Sequence, residues 1–373
     1  TIYYREVDDY LTREQKLAAI TKQKSVMAKG FVQNVLQPNE LGDWLNQRSK
    51  IFNNYYKIAP KNKFDEDAMS FFSTVAIGVA SNRDAWVTNF SSVQLTKKIN
   101  EMIGFYNKNL VQHITNESKL NISYKISWTR SLRKRYSKNI QLDYDYQCNT
   151  YIYYRPFNKT NIYYDKPLIE SPGVWEKLIP SMKKDSIVIC VSSVGDTKGL
   201  STLMSQCFTD LHFAGDTQCF PLYWYEEKKQ EPKAMTSLFD DASKQEEAKV
   251  EYIRHDGVTD YILHEAREKY RTNAITKEDI FYYVYGFLHS EEYRKQFAAD
   301  LKKMLPRLPL VENAVDFKAF SEAGRKLADL HLNYEKRPKP EQVMVERNAD
   351  DYIVEKMKFK SKQDKSVIIY NNH

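Results

Sequence analysis

The spacing of apolar residues changes along this 373-residue chain, and the changes limit the folds that are open to it. Up to about residue 225 many apolar residues form short runs typical of strands, as in Val75–Val79, Ser186–Ser192 and Phe220–Tyr225. From residue 258 to residue 333 they recur every three or four residues, which is typical of helices with one buried face, and the last 33 residues return to strand patterning. The chain is therefore predicted to be α+β, with a mixed α/β part, a helical module and a short β tail.

Capping residues locate two helices in the first part. Thr12 with Gln15 forms a capping box and predicts a helix over 12–28. Ser91 with Gln94 opens a second helix, whose apolar residues share one stripe. The other predicted elements are strands at 121–128 and 144–165 (the latter as a hairpin), a linker or disordered loop at 226–250, helices at 258–270, 277–289, 290–305 and 314–333, and strands at 353–360 and 366–370.

Motifs for catalysis are weak or missing in the sequence. Gly195–Ser201 has its lysine before the second glycine, which is the wrong order for a phosphate-binding P-loop. Asp65–Asp67 is assigned to a solvated loop because no P-loop precedes it. The histidines lack metal-binding spacing, and the four cysteines form no CxxC pair, so reduced thiols are expected. We therefore expect no catalytic residue, no metal and no cofactor in this chain.

The chain ends and the hydropathy pattern give two further expectations. The sequence begins without Met at Thr1, so we expect a segment cut from a longer protein. It has no run of about eighteen apolar residues and no signal-peptide pattern, which favours a cytoplasmic protein. The net charge of +7 is modest, so the distribution of charge must decide what the chain binds.

Residues 118–142 contain seven cations and no acid, with aromatic residues between them. Such a segment favours nucleic acid, because binding to phosphates releases counterions; an ordinary solvated basic face is the open alternative. We expect a loop or hairpin here, since a helix would spread the cations over more than one face. Phosphate contacts are expected from Lys134 and Lys138, and guanine recognition from at least one of Arg130, Arg133 and Arg135. The candidate DNA contacts are Arg83, Lys125, Arg130, Arg133, Lys134, Arg135, Lys138 and Lys198.

Several motifs, in their order along the chain, resemble the C-terminal specificity region of type ISP restriction–modification enzymes. Thr276–Ser290 is the strongest of them, and it is also similar to single-chain type IIG enzymes. The aromatic residues of Tyr154–Phe157 and of Thr276–Ser290 are expected to form scaffold rather than to read bases. The motifs that carry the resemblance are Asp8–Leu17, Ser81–Phe90, Tyr154–Phe157, Ile162–Asp165, Phe220–Tyr223, Thr276–Ser290, Leu305–Pro309 and Gly324–Leu332.

The resemblance implies a phage-defence parent enzyme that joins a nuclease, a helicase-like translocase and an adenine methyltransferase, and that uses S-adenosylmethionine, ATP and Mg. This chain would recognise duplex DNA, with the upstream methyltransferase and translocase domains as its partners. A catalytic fragment of a nuclease or helicase, and a coupling module that binds no DNA, stay open as alternatives. We expect a helical connector after the methyltransferase core at 1–70, a mixed α/β DNA-recognition domain at 71–235, a helical module at 236–340 and a β tail at 341–373, with truncation of the tail left open.

Overall fold

The computed structural model describes residues 2–8, 10–25, 28, 34–111, 126–180, 187–194, 199–228, 251–344 and 357–370. The chain forms two compact units, Thr1–Tyr334 and Glu335–His373. Helices and several small sheets are both present, so the α+β prediction is confirmed. The predicted division into four parts stays a prediction. Within the described residues, no helix is both long enough and apolar enough to cross a membrane.

The described helices are α1 (Arg13–Gln23), α2 (Lys50–Asn53), α3 (Asp84–Val87), α4 (Ser92–Val111), α5 (Arg130–Ser137), α6 (Trp175–Leu178), α7 (Asp260–Tyr270), α8 (Lys277–Phe287), α9 (Glu291–Gln296), α10 (Ala298–Leu301) and α11 (Ala314–Leu332). The described strands of the first unit are β1 (Ile2–Tyr4), β2 (Asn34–Leu36), β3 (Tyr56–Lys57), β4 (Ala76–Ile77), β5 (Thr88–Asn89), β6 (Asn149–Arg155), β7 (Asn158–Tyr163), β8 (Val188–Val191), β9 (Thr202–Ser205), β10 (Phe208–Thr209), β11 (Gln218–Pro221), β12 (Tyr223–Glu227), β13 (Tyr252–Asp256) and β14 (Arg307–Leu308). The second unit contains the antiparallel strands β15 (Lys358–Phe359) and β16 (Ile368–Ile369).

A four-stranded antiparallel sheet in the order β4-β11-β8-β9 lies between two hydrophobic cores. Along β8, Val188 and Cys190 belong to the first core, whereas Ile189 and Val191 belong to the second. This follows from the alternation of side chains along a strand. All four residues are buried, so this central sheet contributes to the packing of both cores.

The first core combines a second four-stranded sheet, in the order β10-β6-β7-β5, with helix α4. Strands β6 and β7 form the predicted hairpin, with antiparallel pairing from Asn149 to Tyr163. Helix α4 begins after Ser91, whose hydroxyl accepts the Gln94 amide at 3.3 Å. The predicted apolar stripe of α4 is confirmed, because its members are buried in this core, namely Leu95, Ile99, Met102, Ile103 and Tyr106.

The second core contains the aromatic helix α8 and the long helix α11, which cross at very short distance. A Cβ atom on Gly324 would overlap the carbonyl oxygen of Tyr282, and one on Gly286 would overlap that of Phe320. The two glycines therefore allow the helix backbones to touch. Across the same contact, the Ser321 hydroxyl donates to the Asp279 carbonyl at 2.9 Å. Helix α8 buries four of its five aromatic residues in this core, and Tyr282 is partly buried.

Three predicted elements differ from the structure. Helix α1 has the predicted capping box but ends at Gln23, where Lys24 has a positive φ of 61° that ends the helix, and none of its residues is buried. The strand predicted at 121–128 is wrong in its described part, because residues 126–128 form no strand; residues 121–125 lie outside the described residues. The helix predicted at 290–305 is two shorter helices, α9 and α10, which meet at Phe297.

The stretch predicted as a linker at 226–250 begins inside a strand. Glu226 and Glu227 belong to β12, which pairs antiparallel with β13 so that Glu227 lies opposite Tyr252. The aromatic residues of both strands favour this pairing over an open loop. Glu227 and Tyr252 therefore lie side by side, whereas residues 229–250 between the two strands lie outside the described residues.

Candidate nucleic-acid interface

The basic segment forms a helix, α5, and the expectation of a loop or hairpin is wrong. The helix begins after its N-cap Thr129, and Leu132 is fully buried in the first core. The Tyr136 hydroxyl donates to the Asn109 carbonyl of α4 at 2.8 Å, and the rings of Trp128 and Tyr136 meet edge to face at 5.3 Å. Positions 128, 132 and 136 are four residues apart, so an apolar helical stripe was present in the sequence.

Helix formation brings four of the cations together instead of spreading them apart. Arg130, Lys134 and Lys138 are spaced by four residues and are all exposed. With Arg133 they span an arc of about 140° at 3.6 residues per turn. We call these four residues the cation face. Arg135 lies outside the arc, and its charge acts on Asp165 instead.

The cation face has an electrostatic cost within the protein. Like charges four residues apart destabilise a helix by a few tenths of a kcal/mol per pair, and the eight residues of α5 include no acid. The helix dipole offsets part of this cost at Lys134, which lies in the last turn. The Nε atom of Arg130 lies 3.6 Å from Glu170, yet the Arg130 side chain is 93% exposed, so this pair is weak. The arrangement therefore favours an external polyanion.

Glu170 lies at the first turn of α5 and is held there by its neighbour. Its Oε2 atom accepts the Ser131 backbone N–H at 3.0 Å and also the Ser131 hydroxyl. Burial opposes ionisation, but the hydrogen bonds from Ser131 and Thr129 and the charge of Arg130 together outweigh it and lower the pKa of Glu170. The following residue, Ser171, exchanges backbone hydrogen bonds of 2.9 and 3.1 Å with Ala80, which fixes the position of the carboxylate.

The predicted DNA contact Arg83 lies beneath α5 rather than on the surface. Its side chain is buried, and its Nη2 atom donates to the hydroxyl of Thr129, the N-cap of α5. Its Nε and Nη1 atoms have no hydrogen-bond partner within the described residues. Burial lowers the pKa of Arg83 to about 10. In this conformation Arg83 supports α5 from inside, and its contact with DNA stays a prediction.

A cleft of about 290 Å³ lies beside Arg83, between the turn at 80–85, Ser127 and the segment 210–212. Its two carboxylates already have partners. Asp84 accepts the Tyr154 hydroxyl at 3.1 Å, and Asp210 pairs with Arg155 at 2.7 Å. The cleft therefore contains two carboxylates that already have hydrogen-bond or ion-pair partners. Beside them lies the Arg83 guanidinium, with two N–H groups that have no partner among the described residues.

Two of the predicted contacts have no described position, and the described residues contain no candidate metal centre. Lys125 and Lys198 lie outside the described residues. Among the described residues, no group of three His, Cys, Asp or Glu side chains could hold a metal ion. Cys190 and Cys219 face each other with their sulfur atoms 3.5 Å apart. Burial raises the pKa of Cys219 and raises that of Cys207 to about 12, so both thiols are protonated at neutral pH.

Comparison with known families and structures gives a consistent match. The family described as the type ISP C-terminal specificity domain matches residues 70–373. A nuclease-deletion mutant of the type ISP enzyme LlaGI, in complex with a DNA substrate mimic, is 31% identical with a TM-score of 0.76, over 99% of this chain and 26% of that one. The ATP-dependent type ISP enzyme LlaBIII bound to DNA is 30% identical with a TM-score of 0.76, over 96% of this chain and 22% of that one.

A more distant structure shows the same fold. The DrdV–DNA complex is 24% identical with a TM-score of 0.73, over 91% of this chain and 31% of that one. No curated protein gives a significant match. The chain thus spans about a quarter of the length of the LlaGI and LlaBIII chains that it resembles.

Proposed function

This chain belongs to the family of type ISP C-terminal specificity domains, and on that basis we propose that it binds duplex DNA and selects the sequence at which a restriction–modification enzyme acts. The observation that carries the proposal is the cation face of α5. It presents four cations on one side of a helix that contains no acid. The solved relatives LlaGI and LlaBIII are described in complexes with DNA or a DNA mimic, which supports the same ligand.

The proposal divides the work among the cations of α5. Lys134 and Lys138 contact phosphates, because a flexible ammonium group makes a point-charge contact that carries no sequence information. Arg130 and Arg133 are better suited to a guanine edge, which a guanidinium can bind with two hydrogen bonds. Arg135 is a weaker candidate reader, since it lies outside the cation face and near Asp165.

We extend the proposal to the rest of the parent enzyme. We propose that nuclease, translocase and adenine methyltransferase domains accompany this chain in one cytoplasmic polypeptide, and that they use Mg, ATP and S-adenosylmethionine. In that arrangement the specificity domain holds the DNA, and the upstream domains modify or cut it. A module that only couples these domains would not need the cation face. The experiments below would support such a module if the chain bound no DNA.

Charge removal on α5 tests DNA binding directly. The variant R130Q/K134Q/K138Q is compared with K302Q/K318Q/K326Q, which removes three exposed lysines elsewhere in the first unit. Each lost phosphate contact should lower the slope of log affinity against log salt by about 0.9. Fluorescence anisotropy with a labelled duplex should therefore show a lower slope and weaker binding for the α5 variant alone. Equal effects of the two variants, or an absence of binding by the wild type, would contradict the proposal.

Sequence selection tests the second half of the proposal. The wild-type chain is used to enrich a pool of randomised duplexes, and the enriched sequence is compared with a scrambled duplex of the same composition. Substituting Arg130 or Arg133 by Gln should cost about 1–3 kcal/mol on the enriched duplex, with little change on the scrambled one, if that residue reads a guanine. Enrichment of no sequence would leave a DNA-binding module without the recognition function.

A further inference from the structure

Helix α5 depends on its surroundings for its position. It has eight residues, well below the length of about 12–15 at which an isolated helix becomes even marginally stable in water. Leu132 and Tyr136 attach one side of it to the first core and to α4. At its N-terminal end, polar contacts through Thr129 and Ser131 add to the apolar contact of Leu132.

Two groups from different parts of the chain meet at that first turn. Arg83 binds the Thr129 hydroxyl from beneath, while Glu170 binds the backbone N–H and the hydroxyl of Ser131. The hydroxyls of Thr129 and Ser131 lie 3.1 Å apart and connect the two. The Glu170 side chain is only 10% exposed, whereas the Arg130 side chain beside it is almost fully exposed. The carboxylate therefore interacts more closely with the helix backbone than with the cation face.

We propose that Glu170 is a positioning residue, which fixes the first turn of α5 and thereby sets the direction in which the cation face meets DNA. The inference rests on the proposed function of that face. A carboxylate suits this place because it accepts two hydrogen bonds from Ser131 and because negative charge is favourable at a helix N-terminus. The backbone pairing of Ser171 with Ala80 ties Glu170 to the same turn that carries Arg83.

Removing Glu170 should change DNA affinity in opposite directions, depending on whether its charge or its positioning of α5 matters more. Glu170→Ala takes a negative charge away from the cation face, so electrostatics alone predicts tighter DNA binding. Loss of positioning predicts weaker binding to the enriched duplex and poorer discrimination from the scrambled one. Glu170→Gln removes the charge but keeps a carbonyl oxygen that can accept from Ser131. It should therefore preserve positioning and bind DNA at least as tightly as the wild type.

The binding experiment compares Glu170→Ala and Glu170→Gln with Glu176→Ala. The control removes one acid of α6 whose carboxylate pairs with Lys166 instead of α5. We expect Glu170→Ala to lose about tenfold in affinity for the enriched duplex, as the loss of hydrogen bonds to a charged group would cause. We expect no loss for the other two variants. Affinity of Glu170→Ala equal to or tighter than that of Glu176→Ala would overturn the inference.

Two further measurements separate this inference from the proposed function and from misfolding. Ser131→Ala removes a hydrogen bond to Glu170 without changing any charge, so it should weaken binding in the same direction as Glu170→Ala. Hydrogen exchange without DNA should show faster exchange of the 131–137 amides in Glu170→Ala but not in Glu170→Gln. Unchanged exchange in Glu170→Ala overturns the inference even if the wild type binds no DNA, whereas faster exchange with no DNA binding supports the positioning role and rejects the proposed function.

Discussion

Helices α8 and α5 are held in the same unit by different kinds of contact. Seven of the eleven residues of α8 are buried, and its backbone touches α11 at two glycines. One of the eight residues of α5, all of them described, is buried, and polar groups from Arg83 and Glu170 hold its first turn. The contrast shows how the exposed charges of α5 could change while the packing that stabilises the unit stays the same.

The largest effect is expected at the crossing of α8 and α11. Gly324→Ala places a Cβ where the Tyr282 carbonyl oxygen lies, so the helices must separate, and the overpacking should cost about 3 kcal/mol of unfolding free energy. Gly104→Ala is the matched control, because a Cβ at Gly104 in α4 meets no atom within 4 Å. The control should be neutral or slightly stabilising, as expected for Ala in a helix. Urea unfolding of both variants measures the difference in unfolding free energy. Equal unfolding midpoints would contradict the prediction that α8 and α11 are in backbone contact.

The next effect concerns the apolar contact of α5. Leu132→Ala should cost about 2–3 kcal/mol, near the lower end for a buried leucine, because the helix lies at the edge of its core. Val93→Ala in α4 is the control, since Val93 is 75% exposed and its loss should change stability by less than about 0.5 kcal/mol. Leu132→Ala should also weaken DNA binding, unlike Gly104→Ala. DNA affinity that survives the loss of Leu132 would mean that the polar contacts alone position α5.

Acid should weaken the helical core through His289. Burial, together with the charges of Arg294 and His331, lowers the pKa of His289 to about 3. The unfolded chain binds this proton near pH 6.5 and the folded chain does not, so stability is lost as the pH falls from 6.5 towards 3. At pH 4 the loss should be about 2 kcal/mol, allowing for partial exposure. His289→Gln should flatten this part of the stability profile, and an unchanged profile would contradict the prediction.

The smallest predicted effect on stability comes from Asp165, near α5. Its pH dependence is opposite to that of His289, because stability falls as the pH rises. Burial raises the pKa of Asp165 to about 6, although Arg135 opposes the shift and Asp145 adds to it. A raised pKa for an acid means that stability is greatest when the group is protonated and falls as the pH rises from about 4 to 6. Asp165→Asn should therefore stabilise the protein by about 1 kcal/mol at pH 8, after a discount for solvent screening, and by nothing at pH 3.5. The melting temperatures of Asp165→Asn and the wild type, compared at pH 8 and pH 3.5, test this prediction.

The fold was predictable from sequence where burial repeats with a regular period. Helices α4, α8 and α11 follow apolar stripes long enough to identify a face, and the capping box of Thr12 and Gln15 fixes the start of α1. The short strands were harder to predict, because a two-residue strand such as β14 is defined by its pairing with β3 and has no period of its own. The start of the predicted linker was misplaced for the same reason, since only the pairing with β13 makes Glu226 part of a strand, and the linker at 229–250 stays a prediction.

The candidate site was predictable in composition but not in arrangement. The cations of α5 were identified from sequence, yet half of its eight residues are charged, and this hid the spacing of Leu132 and Tyr136. Nothing local indicates Glu170, because its contact with Ser131 joins residues that are 39 positions apart. The burial of Arg83 is also a tertiary property, as a polar turn between a strand and a helix is normally exposed.

The central sheet has a consequence for how the first unit loses its structure. Because alternate residues of β8 lie in different cores, neither core can come apart while the other keeps its contacts to that strand. We expect two cores that share a sheet in this way to unfold together, and agreement between the calorimetric and van't Hoff enthalpies would test this. Heat or denaturant is therefore expected to remove the packed helices and the cation face of α5 at once, so that a chain that presents the cation face is also one with both cores intact.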